Sequence, residues 1–150
     1  MKIIGLDRVE ILVKNMDKAL DFFSNKLGMK FLELTKEISE RDGIRSLVCH
    51  ETHIHLISPI LPLPENAPPP LKAKTEMLKT QEAFIMAITF KVEDPQKASV
   101  ELQKQGIKIQ KHQYKKSHDY ASIGLDNFEE VITYPESTLG ILIGFADYNN

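Results

Sequence analysis

Residues 7–14 alternate: Val9, Ile11 and Val13 fall in one phase, Arg8, Glu10 and Leu12 in the other. A period of two predicts a strand with one wholly apolar face. Helix signals follow at once. Asn15 can cap, Asp17 favours the first turn, and Met16, Ala19, Leu20, Phe23 and Leu27 recur at helical spacing until Gly28 stops the run. Residues 29–35 then read as a second strand, and after a polar turn at Arg41-Asp42-Gly43 two more strands are predicted over 44–50 and 52–58. The order is strand, helix, strand, strand, strand.

That order returns in the second half. Residues 86–93 read as a strand, Asp94-Pro95 as an N-cap and first-turn proline, Ala98 and Leu102 as the apolar side of a helix, and Gly106 as its end. A further strand begins at 107–109. Lys18-Ala19 matches Lys97-Ala98 at an offset of 79, and Gly28-Met29-Lys30 matches Gly106-Ile107-Lys108 at 78, so a one-residue gap in the helix aligns the copies. An irregular stretch over 115–127 precedes strands near 130–134 and 140–146. The pattern is an internal duplication of a βαβββ unit, with modules 1–58 and 84–150. Six of the eight prolines fall in 59–70, too dense for a helix or a central strand, so 59–83 reads as a connector with a short helix from 71.

At 150 residues, 42% hydrophobic, the chain is one domain's worth of sequence and needs no disulfide or structural metal to fold. Nineteen basic residues against 21 acidic ones, with no basic stripe, argue against a nucleic-acid groove. Cys49 is the only cysteine, which excludes a disulfide framework within the chain and fits a reducing, cytoplasmic setting. The apolar runs are strand-length, below the roughly 20 residues that cross a bilayer, and no membrane role is expected.

Two βαβββ modules, opening with a Val-x-Ile-x-Val strand and a helix ending in Leu-Gly-Met-Lys-Phe, resemble the vicinal oxygen chelate superfamily of glyoxalases, epimerases, extradiol dioxygenases and resistance proteins. Locally, Ile54-His55-Leu56-Ile57-Ser58-Pro59 and the turn Tyr134-Pro135-Glu136-Ser137-Thr138-Leu139-Gly140 are similar to segments of methylmalonyl-CoA epimerase. The resemblance implies an α+β fold in which the modules form a curved, mostly antiparallel eight-stranded half-barrel cleft. It also implies a homodimer. The superfamily's divalent metal is held from the first and fourth strands of each module; residue by residue, those positions fall on Arg8, His55, Ala87 and Gly144. A guanidinium keeps its proton, and alanine and glycine have no lone pair to give, so three of the four positions cannot bind a metal.

The expectation is therefore no metal at the superfamily position, with one alternative. Glu10, His53 and His55 could rebuild a site for a divalent ion if strand alternation places both histidines on one face. Without a metal, His50, His53 and His55 read either as ordinary strand residues or, for His55 and His53, as hydrogen-bonding and acid–base groups. Arg8 with Glu10 reads either as an internal ion pair filling the metal's space or as a fork for a carboxylate, enolate or phosphate. Cys49 reads as a buried structural thiol, and Tyr114, His118 and Tyr120 as residues of a covering loop.

Two functions follow. One is a metal-free protein that binds a small anionic or carbonyl-bearing molecule through Arg8, Glu10, His53 and His55. The other is a glyoxalase- or epimerase-like lyase or isomerase moving a proton beside a carbonyl or thioester, with Arg8 as the stabilising cation and Glu10 or His55 as the catalytic base.

Overall fold

The computed structural model describes residues 1–36, 39–40, 43–115 and 128–148, with side chains described except at 111–115. Eight strands form one sheet: β1 (Ile3–Val13), β2 (Leu32–Glu33), β3 (Ile44–Cys49), β4 (Ile54–Pro59), β5 (Ala83–Val92), β6 (Ile109–Lys115), β7 (Phe128–Thr133) and β8 (Leu142–Tyr148). Their order is β2-β3-β4-β1-β5-β8-β7-β6, so β2 and β6 are edges and the sheet does not close into a barrel. The pairs β2·β3, β3·β4, β6·β7 and β7·β8 are antiparallel and β5·β8 is parallel. The α+β class and the mostly antiparallel eight-stranded sheet are those expected from the sequence.

Two compact units divide the chain, one of Glu10–Met86 and one of Met1–Val9 with Ala87–Asn150. Their borders run through β1 and β5.

In the Glu10–Met86 unit, α1 (Met16–Leu20) starts where the sequence places it: the Asn15 side chain accepts a hydrogen bond from the Lys18 amide at 3.0 Å. From Asp21 to Lys26 the helix widens to a π-helical turn, and Gly28 closes it at φ 76°. Val13, Met16, Ala19, Leu47 and Leu56 make the core, with Ile11, Leu20, Phe23, Phe31 and Ile54 packed against it. The Ile11 and Val13 phase of β1 thus faces the helix.

Two strands of this unit start later than predicted. The Met29 amide bonds back to the Phe23 carbonyl at 3.0 Å, finishing the helix end, so regular pairing starts only at Leu32. β4 begins at Ile54 because His53 lies in a turn at φ 58°. In the connector, α2 (Pro69–Met77) starts earlier than predicted, since the missing amide hydrogens of Pro69 and Pro70 cost nothing in a first turn.

In the other unit, α3 (Pro95–Lys104) is capped by Asp94, which accepts from the Lys97 amide at 2.9 Å, and Gly106 follows at φ 83°. Val92, Ala98, Leu102 and Phe145 form its core, with Phe90, Ile107, Ile109 and Ile143 around them. Ala19 and Ala98, aligned in the sequence repeat, are each the small residue that lets a helix approach its strands. The irregular stretch from 116 to 127, with His118 and Tyr120, lies outside the described residues, as does the Tyr114 side chain. Among the described residues no helix is long and apolar enough to cross a membrane.

Candidate functional site

Strand alternation builds a buried polar cluster. Phe145 and Ile143 of β8 face α3, which turns Gly144, Ala146 and Tyr148 to the opposite face. Directly opposite residues of an antiparallel pair share a face, so β7 adds Ile132, Glu130 and Phe128 beside them. β5 brings Thr89 alongside Gly144, and β1 brings Arg8.

Arg8 is 7% exposed and Glu130 3%, and they form an ion pair with Nη2 2.5 Å from Oε1. The second terminal nitrogen of Arg8 donates to Asp7 Oδ2 at 2.7 Å. Each carboxylate has a further donor: Thr89 Oγ1 reaches Glu130 Oε1 at 3.2 Å, and the Tyr148 hydroxyl reaches Asp7 Oδ2 at 2.8 Å. The Phe128 ring lies 5.6 Å below the guanidinium carbon and 5.2 Å from the Tyr148 ring. Burial pushes the Tyr148 phenol far above the ordinary tyrosine range; Arg8 opposes the shift, while Asp7 and Glu130 reinforce it. The hydroxyl therefore stays a donor.

Gly144 is what makes room for this arrangement. A Cβ there would stand 2.5 Å from Thr89 Oγ1 and 2.6 Å from Glu130 Oε1, closer than carbon and oxygen can pack. The space that a β8 side chain would use is taken by a carboxylate from β7.

The expected residues of the Glu10–Met86 unit are placed differently. Glu10 is half-buried on β1, and His55 is half-buried on β4 across from Val48. His53 is exposed in the turn before β4, where strand alternation does not apply, so it is not put on the His55 face by period-two spacing. Among the described residues, no three His, Cys, Asp or Glu side chains come together as metal ligands. His50 is exposed, and Cys49 is a buried free thiol.

Sequence reasoning reached Arg8 and missed Asp7, Thr89, Glu130 and Tyr148. A signal for Glu130 was present: it shares the phase of Phe128 and Ile132 in a strand that is otherwise apolar on that face.

The family model for the Glyoxalase/Bleomycin resistance protein/Dioxygenase superfamily matches residues 5–120. The chain belongs to that superfamily. Among solved structures, methylmalonyl-CoA epimerase from Mycobacterium tuberculosis matches with TM-score 0.70 at 22% identity, over 99% of this chain and 90% of that one. A variant of the Streptomyces coelicolor epimerase in complex with 2-nitronate-propionyl-CoA gives TM-score 0.71 at 13% identity, over 99% and 100%. A hypothetical protein from Bacillus halodurans C-125 gives 0.67 at 20%, over 97% and 94%. At these identities the likeness is one of fold. No curated protein sequence matches the chain.

The superfamily's metal does not fit this donor set. Arg8, Ala87 and Gly144 offer no lone pair, and the volume beside Gly144 is filled by Thr89 and Glu130.

Proposed function

We propose that the chain is a small-molecule-binding protein that works without a divalent metal at the superfamily position. The observation that carries this reading is the Arg8 guanidinium, seated where a lone-pair donor is expected and held by Glu130 and Asp7 at 2.5 and 2.7 Å. The ligand is a small anionic or carbonyl-bearing molecule, and Arg8, Glu10, His53 and His55 are its proposed contacts. A thermal-shift screen of keto acids, dicarboxylates and acyl thioesters tests this. A ligand present at one hundred times its dissociation constant adds about 2.7 kcal/mol, a shift that is easily read. Absence of any shift across those classes would contradict the reading.

The epimerase structures favour a second reading, an isomerase or lyase that moves a proton beside a carbonyl or thioester. In it Arg8 stabilises the enolate and Glu10 or His55 is the base. Incorporation of solvent deuterium at the carbon beside the carbonyl of a bound compound separates the two: the binding protein leaves that position unexchanged.

A homodimer belongs to the same proposal. It is supported by the open edges at β2 and β6 and by Ile3, Ile4 and Leu6, exposed apolar residues at the start of β1. A cytoplasmic setting is supported by the single, buried, unpaired Cys49.

A further inference from the structure

We infer that the Arg8 side chain is an internal substitute for a divalent cation, and that Asp7 and Glu130 form the cation seat it occupies. The inference rests on the metal-independent reading above and deepens it. One planar guanidinium holds Asp7 Oδ2 on one terminal nitrogen and Glu130 Oε1 on the other, so two carboxylate oxygens converge on a single positive charge. Each carboxylate is steadied from behind by a hydroxyl, Tyr148 on Asp7 and Thr89 on Glu130. Metal-binding carboxylates are oriented in the same way by outer hydrogen bonds. The bareness of Gly144 is the third part, because any side chain there would force Thr89 Oγ1 and Glu130 Oε1 to shift from the positions they hold. Glu130 and Gly144 are therefore complementary: the carboxylate stands on β7 beside the bare position of β8, and its partner is a side chain of the protein.

This assignment has a consequence that a mere space-filling pair would not have. Arg8→His removes the internal cation and leaves an imidazole nitrogen on β1 facing two carboxylate oxygens, a donor set suited to zinc or cobalt. The test is a Co(II) titration of untagged protein, followed by visible absorption and by thermal unfolding. Wild type, Arg8→His, and Arg8→His combined with Glu130→Gln are compared. Arg8→His should bind one equivalent of Co(II) with a rise in Tm, and the added Glu130→Gln should weaken that binding by about tenfold or more. If Arg8→His folds only poorly alone, Co(II) added during refolding should restore its near-ultraviolet circular dichroism. Arg8→His binding cobalt no better than wild type, or not being restored by it, would overturn the inference while leaving the proposed function standing. Wild type that itself holds Co(II) through Glu130 would instead overturn the metal-independent reading.

Discussion

Arg8, Glu130 and Gly144 behave as one unit, since the ion pair needs the carboxylate and the carboxylate needs the empty Cβ position. Glu130→Gln removes the charge that a buried Arg8 is paired with and is expected to cost about 3 kcal/mol in urea unfolding. Replacing the cation and both its carboxylates together, Arg8→Met with Glu130→Leu and Asp7→Asn, should cost less than that single change, because no buried charge is left without its partner. Gly144→Ala is expected to cost about 2 kcal/mol by overpacking, and much less in a background carrying both Thr89→Ala and Glu130→Ala, where the two close oxygens are gone. Tyr148 gives a pH signature. Its folded-state pKa is raised, so the folded protein keeps a proton that the unfolded chain loses near pH ~10, and stability falls as pH rises beyond that value. Tyr148→Phe should flatten the fall in urea midpoint between pH 9 and pH 11. At this scale Arg8 was legible because the alternation of β1 gives its phase and the family resemblance puts a ligand position on it, but Glu130 was not paired with it, because 122 residues separate them and only the sheet register brings them together.

At the level of elements, the duplication is repeated in chemistry: each helix opens on a side-chain cap, Asn15 or Asp94, presses a small residue onto its strands, and ends before a glycine of positive φ. Asn15→Ala and Asp94→Ala should each cost about 1 kcal/mol in chemical denaturation, the usual value of one N-cap. These helices were legible because caps and glycines are local signals. The short β2 and the turn at His53 were not. The first depends on Met29 being drawn into the helix end by the Phe23 carbonyl, and the second on a histidine adopting φ 58°, which no neighbouring glycine or proline announces. Period-two spacing therefore does not by itself carry His53 onto the His55 face.

For the molecule as a whole, the open eight-stranded sheet and the family match describe a scaffold, and a fold of this kind leaves function to a few residues set on it. Ile4→Glu in the exposed apolar start of β1 should shift the proposed dimer toward monomer in sedimentation equilibrium, where wild type is expected at twice the chain mass. The most direct test of the central claim, that a guanidinium held by Glu130 and Asp7 stands where a metal ligand is expected, is the metal content of untagged wild-type protein purified without chelator. Elemental analysis should find no stoichiometric zinc, iron, nickel, cobalt or manganese. One equivalent of any of these, lost on His55→Ala, would contradict the account.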